Sequence, residues 1–191
     1  FMEKATGVPY DEYSVTIPPF QTGNPRIDNR QSNPDPVLLG YLNVKYVVSE
    51  FWISDLDFTL VDNDRGTFIY ENEKYLPRAV VYRSESRSGD YRTAQIVDYT
   101  PNRIYLATEG SGLLVLSEIN YPGWIVTIDG DPASIVTVDG LFRAVELPEG
   151  NHLVEFIFHP MSVYTGIGIS LVSLVIILGI LLITHRHGSD T

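Results

Sequence analysis

The chain has no cysteine in its 191 residues. That absence excludes disulfides, thiolate metal sites and cysteine nucleophiles together. Positive charge is scarce as well: 13 Lys and Arg stand against 24 Asp and Glu, a formal net charge of −11. A surface of that sign repels a phosphate backbone, so nucleic acid is excluded as a partner. No Lys/Arg-rich run marks an anionic lipid surface. No nucleophile elbow, phosphate-cradling glycine loop or dinucleotide fingerprint occurs, and His152, His159, His185 and His187 fall at none of the helical zinc-site spacings. No catalytic residue, metal or cofactor is assigned to this sequence. A basic segment leading into a short apolar one is missing after Phe1, so no signal peptide is read.

What is present is a globular balance, 44% hydrophobic and 19% charged residues, with much of the apolar content in one late block. From Val163 to Thr184 there is no charged residue. About 22 residues at 1.5 Å each span roughly 33 Å, enough for a bilayer core. Tyr164 stands where an interfacial aromatic belt is expected, and Arg186, flanked by His185 and His187, follows the span. The positive-inside bias then places the tail 185–191 in the cytoplasm and the preceding domain outside the membrane. Gly166, Ser170 and Ser173 give the helix a small-residue face that suits helix–helix contact, a feature equally common in helices without one.

Residues 1–36 are rich in Pro, Asn, Asp and Gly and read as loop. A short helix or turn is expected at Val37–Leu42. Strands are expected at Val44–Ser49, Phe58–Val61, Thr67–Tyr70 and Arg78–Tyr82, with a hairpin turn over Asp62–Gly66 and a polar loop over Ser84–Tyr91. Further strands are expected at Ala94–Tyr99, Arg103–Thr108, Leu113–Ser117, Trp124–Ile128, Ser134–Val138, Leu141–Leu147 and His152–Phe158. The pairs Asp129-Gly130, Asp139-Gly140 and Glu149-Gly150 suit tight turns, because glycine tolerates positive φ. Many short strands at regular spacing predict a mainly β, sandwich-like domain over 37–160, followed by one transmembrane helix over 161–184. Only Pro160 and its neighbours separate the last strand from the helix, so the domain must sit close to the bilayer.

The run Tyr99-Thr100-Pro101-Asn102-Arg103, then Gly112-Leu113-Leu114-Val115-Leu116-Ser117, Tyr121-Pro122-Gly123-Trp124, Asp129-Gly130, Leu141-Phe142-Arg143 and Pro148-Glu149-Gly150-Asn151-His152 resembles the C-terminal region of YfhO-type bacterial membrane proteins. Leu42-Asn43-Val44-Lys45-Tyr46-Val47-Val48-Ser49 and Leu76-Pro77-Arg78-Ala79 are similar to that family too. The ordered series covers roughly residues 38–184. The resemblance implies a polytopic membrane protein of GT-C-like architecture, a transferase that moves sugars from lipid-linked donors to cell-envelope polymers outside the membrane. It places the family's catalytic acid in early extracytoplasmic loops, outside this sequence. The connection between Leu76-Pro77-Arg78 and Tyr99 is shorter than is common in the family. The expectation is therefore a piece of a longer protein, partnered by the lipid bilayer and by upstream membrane helices of the same chain. The alternative is a non-catalytic, membrane-tethered glycan-binding or scaffolding β-domain.

Three groups of residues are candidates for chemistry. Tyr121 and Trp124, around a Pro122-Gly123 pair suited to a type II turn, read as an aromatic platform for an envelope glycan or lipid-linked sugar, or as a turn whose aromatics cover the sandwich edge. Asp55-Leu56-Asp57 and Asp62-Asn63-Asp64 are close carboxylate pairs of the kind that hold a divalent cation, but the further ligands of a calcium loop are missing, and a solvated loop is the commoner origin of such pairs. Arg143 reads as an outward-facing strand residue, or as a cation for a carboxylate or a lipid phosphate.

Overall fold

The computed structural model describes residues 1–7, 27, 33–83 and 90–188. A short helix α1 (Met2–Thr6) precedes α2 (Pro36–Tyr41). Thirteen strands follow: β1 (Tyr46–Ser49), β2 (Phe58–Asp64), β3 (Thr67–Asn72), β4 (Ala79–Tyr82), β5 (Tyr91–Thr93), β6 (Gln95–Thr100), β7 (Arg103–Glu109), β8 (Gly112–Ile119), β9 (Trp124–Ile128), β10 (Asp131–Ala133), β11 (Val136–Val138), β12 (Phe142–Leu147) and β13 (Asn151–Phe158). The long helix α3 (Met161–Gly188) follows β13. The strands form three antiparallel sheets, ordered β1-β3-β2, β10-β9-β13-β7-β6 and β11-β12-β8-β4-β5.

The two five-stranded sheets share one core. Val81 of β4, Leu114 and Leu116 of β8 and Val145 and Leu147 of β12 meet Ile104 and Leu106 of β7, Val126 of β9 and Val154 and Phe156 of β13. Each strand contributes alternate residues, as a sandwich-like pair of facing sheets requires. The β11-β12-β8-β4-β5 sheet is covered on its other face as well. There Val80, Tyr82, Leu113, Val115, Phe142 and Ala144 pack with Tyr41 and Leu42, and Phe1 sets its ring edge-on to Phe142 at 5.6 Å. Burial on both faces explains why β4 is wholly apolar apart from the tyrosine hydroxyl and why β8 runs Leu-Leu-Val-Leu without alternation.

The small sheet closes over α1 and α2, with Ala5, Leu39, Ile53, Phe58 and Tyr70 buried between them. Asp35 starts α2 by accepting hydrogen bonds from the Val37 and Leu38 amides at 2.9 and 3.0 Å, and Pro36 takes the first helical position, where no donor is lost. Asn72, 2% exposed, donates to the Pro36 and Val44 carbonyls and fastens the helix to the sheet.

Some local expectations shift. The β2–β3 turn is confined to Arg65 and Gly66, with φ of 50° and 88°, and Asp62–Asp64 belong to β2. A two-residue turn with both φ positive matches the twist of a hairpin, so the strands extend further than the turn-like composition suggests. Asp131–Ala133 pairs with β9 as a short edge strand despite Pro132, a position where a missing backbone donor is tolerated. Of the expected polar loop, residues 84–89 lie outside those described, and Tyr91 already belongs to β5.

Helix α3 starts two residues after β13. Among the described residues it is the one helix long and apolar enough to cross a membrane, and none of its apolar window Met161–Ile180 is buried. Thr165, Ser170 and Ser173 donate their hydroxyls to the Met161, Gly166 and Ile169 carbonyls at 2.8–2.9 Å. Each hydroxyl is thus satisfied within the helix, as a lipid environment demands. The helical backbone continues through His185–His187 to Gly188.

Candidate functional site

The antiparallel order brings the end of β6, the starts of β7 and β9, the end of β8, the start of β12 and the end of β13 to one rim, the rim from which α3 leaves. Tyr121 and Trp124 lie here. Gly123 takes a φ of 109° in the turn between β8 and β9, a value open to glycine and strained for other residues. A Cβ at Gly123 would stand 2.9 Å from Phe158 Cε2 and 3.1 Å from Pro160 Cα. The Gly123 carbonyl accepts from the His159 amide at 2.6 Å. The turn is therefore seated on the linker into the helix. Tyr121 and Trp124 both contact the Phe158 ring, at centroid distances of 6.4 and 5.4 Å.

The two aromatics do not form a matched pair. Tyr121 is 63% exposed. Trp124 is half-buried, and the Arg143 guanidinium lies over its ring, 3.7 Å from the centroid. Arg143 overturns the outward-facing reading: it is 1% exposed. Its strand belongs to the sheet that is covered on both sides, so Phe142–Val145 are buried on both faces of β12 and only Glu146 is exposed; Arg143 shares the inward face with Val145 and Leu147. Glu118, inward on β8 beyond Leu114 and Leu116, accepts from Arg143 Nη2 at 3.2 Å. The same carboxylate accepts from Arg78 Nη1 and from the Tyr99 hydroxyl, both at 2.9 Å. Burial lowers the Arg143 guanidinium against the opposing pull of Glu118, and burial together with the Glu118 hydrogen bond raises the Tyr99 phenol. Arg143 Nε and Nη1 have no hydrogen-bond partner among the described residues. The carboxylate expected as a partner of Arg143 is thus found, but within a hub that joins both sheets. Its signal in the sequence was slight: an arginine set between Phe142 and Ala144-Val145 in a largely apolar strand.

The opposite rim carries a pairing that spacing did not reveal. His152 Nδ1 lies 2.7 Å from Asp129 Oδ2, and Asp129 Oδ1 accepts from the Leu153 amide at 2.8 Å. The Asp129 hydrogen bond raises the His152 imidazole above its ordinary value, and His152 lowers the Asp129 carboxyl. The residues adjoin different turns, 23 positions apart, so the contact exists only because β13 lies beside β9. A cleft of about 570 Å³ opens near His152, lined among others by Arg92, Gln95, Glu109 and Asn151.

The acidic pairs are engaged locally. Asp55 accepts from the Asp57 amide at 2.9 Å, and Asp57 meets Lys74 at 3.1 Å. Asp62 accepts from the Asn63 amide, and Asp64 lies 3.8 Å from Arg65. Among the described residues no group of three or more His, Asp or Glu side chains is placed to hold a metal ion. His159 stacks on Tyr164 at 4.6 Å, at the foot of the helix.

A mainly β domain continuous with a helix of membrane-crossing length defines a membrane-anchored β-domain protein. Residues 90–170 match the family described as "Bacterial membrane protein YfhO", and over that stretch the chain is similar to it. The matched stretch runs from just before β5 into α3, so it unites the facing sheets with the start of the helix. No curated protein and no solved structure matches the chain.

Proposed function

We propose that this chain is the extracytoplasmic accessory domain and last membrane helix of a polytopic YfhO-type protein, and that the whole protein transfers sugars from a lipid-linked donor to cell-envelope polymers. The observation that carries the reading is the family match across both sheets and into the helix. The sheets have hydrophobic cores, and their conspicuous polar groups are spent on joining elements to one another: Glu118 on Arg78, Tyr99 and Arg143, and Asp129 on His152. That arrangement suits a rigid support held over a membrane core that performs the chemistry elsewhere. Arg186 at the C-terminal end of α3, with no Lys or Arg between Arg143 and the span on its other side, supports an outside domain and a cytoplasmic tail. Of the two residues expected to stack on a glycan, Tyr121 alone offers a largely open ring.

Two measurements test this. A strain that lacks the full-length protein should lose one sugar substituent from its envelope polymers; unaltered envelope composition refutes the transferase reading. An impermeant maleimide should label Asp131→Cys on intact cells and His187→Cys only after permeabilisation. The reverse pattern refutes the orientation and leaves the family assignment standing.

A further inference from the structure

The rim beside α3 presents apolar side chains that the fold leaves uncovered. Ile119 and Tyr121 are each 63% exposed, at the end of β8 and in the turn that follows. This turn is not a loose loop. Gly123 is packed on Phe158 and Pro160 and accepts from the His159 amide, while Phe158 in turn donates its amide to the Asn102 carbonyl at 2.9 Å. The Val163 amide donates to the Pro160 carbonyl at 3.0 Å. The turn is thereby clamped to the first residues of the helix, and Tyr121 stands two residues from the contact.

The uncharged run begins at Val163, two residues into α3, which is a rise of about 3 Å. The interfacial layer on each side of a bilayer is roughly 5–7 Å thick. A turn seated on Pro160 therefore lies within that layer when the helix spans the bilayer. Tyrosine favours this level, with its ring among acyl and headgroup carbons and its hydroxyl wet. The exposed cations nearby are paired, Arg78 with Glu118 at 2.9 Å and Arg103 with Glu155 at 2.6 Å, and Arg143, which shares Glu118, is buried. Little positive charge is left to select anionic headgroups.

We infer that the Ile119–Gly123 turn is a foot that docks the β-domain onto the uncharged interface of the bilayer, with Ile119 and Tyr121 immersed. The helix and the foot then form two attachments that fix the tilt of the domain. The proposal rests on α3 as a membrane span.

Because the chain has no cysteine, a single introduced cysteine is a unique probe site. The full chain is reconstituted into phosphatidylcholine vesicles as Tyr121→Cys, Ile119→Cys, Ser173→Cys and Asp131→Cys, each carrying a polarity-sensitive fluorophore. Asp131 pairs with Ile128 at the other end of β9, about 14 Å from the level of Trp124 at roughly 3.4 Å per residue. Headgroup-level nitroxide lipids should quench and blue-shift the probes at 119 and 121 and leave the one at 131 unaffected; mid-chain nitroxides should quench the probe at 173. Adding anionic lipid should not change the quenching at 121. Unquenched probes at both 119 and 121 beside a quenched probe at 173 overturn the foot while α3 remains a span. An unquenched probe at 173 overturns the span itself. Quenching at 121 that appears only with anionic lipid, or a probe at 121 that ignores lipid and responds to envelope polysaccharide, also overturns the proposal.

Discussion

Removing Glu118 strands a buried cation, and the consequence can be worked out from the structure. Arg143 is 1% exposed and makes one hydrogen bond to a carboxylate, while Nε and Nη1 have none among the described residues. In Glu118→Leu the guanidinium keeps its place over Trp124 but loses its counter-charge. Breaking a buried pair by deleting one partner costs about 3–5 kcal/mol. Arg143→Met is a different perturbation. It removes the buried charge, fills most of the same volume and leaves Glu118, which is 20% exposed, with Arg78 and Tyr99. The lost cation–π contact, about 2 kcal/mol or more when desolvated, is offset by the desolvation penalty of several kcal/mol no longer incurred. A net change of about 1 kcal/mol or less is expected. The double variant Glu118→Leu/Arg143→Met should recover most of the loss of Glu118→Leu. Urea unfolding of the detergent-solubilised chain, followed by tryptophan fluorescence, measures all four proteins, and an unchanged slope licenses comparison of midpoints. If Glu118→Leu costs under about 1 kcal/mol, or if the double variant is no more stable than Glu118→Leu, Arg143 is not an electrostatically isolated buried cation and the reasoning fails.

The Asp129–His152 pair makes stability depend on pH. His152 is raised, so its contribution is complete below its unfolded value of about 6.5 and is lost as pH rises through the higher folded value. Asp129 is lowered, so its contribution is present above about 3.9 and lost as pH falls through the lower folded value. The difference in melting temperature between the wild type and Asp129→Asn should therefore be greatest between about pH 4 and 6.5 and should shrink on the alkaline side; a difference that grows above neutrality contradicts the pairing. Gly123→Ala meets both a positive φ and the contacts with Phe158 and Pro160. It should shift the urea midpoint further than Gly140→Ala, whose φ is also positive but whose Cβ meets open space, and for which roughly 1–2 kcal/mol is expected. Phe156→Ala in the shared core should cost about 3–5 kcal/mol, whereas the exposed Val97→Ala should stay within about 0.5 kcal/mol; similar losses would contradict the placement of the core between the sheets.

Periodicity and turn chemistry made most elements legible. Asp129-Gly130 and Asp139-Gly140 take the positive φ values that their composition suggests, and the strands between Arg103 and Phe158 fall close to the expected runs. Boundaries were less legible. Asp62-Asn63-Asp64 resembles a turn by composition but pairs with Thr67–Ile69 across β2 and β3, because pairing with a neighbour outweighs weak local preference. The candidate residues divide in the same way. Tyr121 and Trp124 were visible as aromatics around a Pro-Gly turn, but the guanidinium over one of them was not.

The sequence by itself determined that the chain is a β-rich domain ending in an apolar helix, since alternation, Gly turns and an uncharged run of membrane-crossing length are local properties that need no partner to be read. Only the tertiary structure decided that β12 is covered on both faces over Phe142–Val145, that Arg143 is therefore buried against Trp124 and Glu118, and that Asp129 meets His152. Those facts depend on which strands become neighbours and on what covers each sheet. Such contacts join residues far apart in the chain, and no local pattern of residue types encodes them.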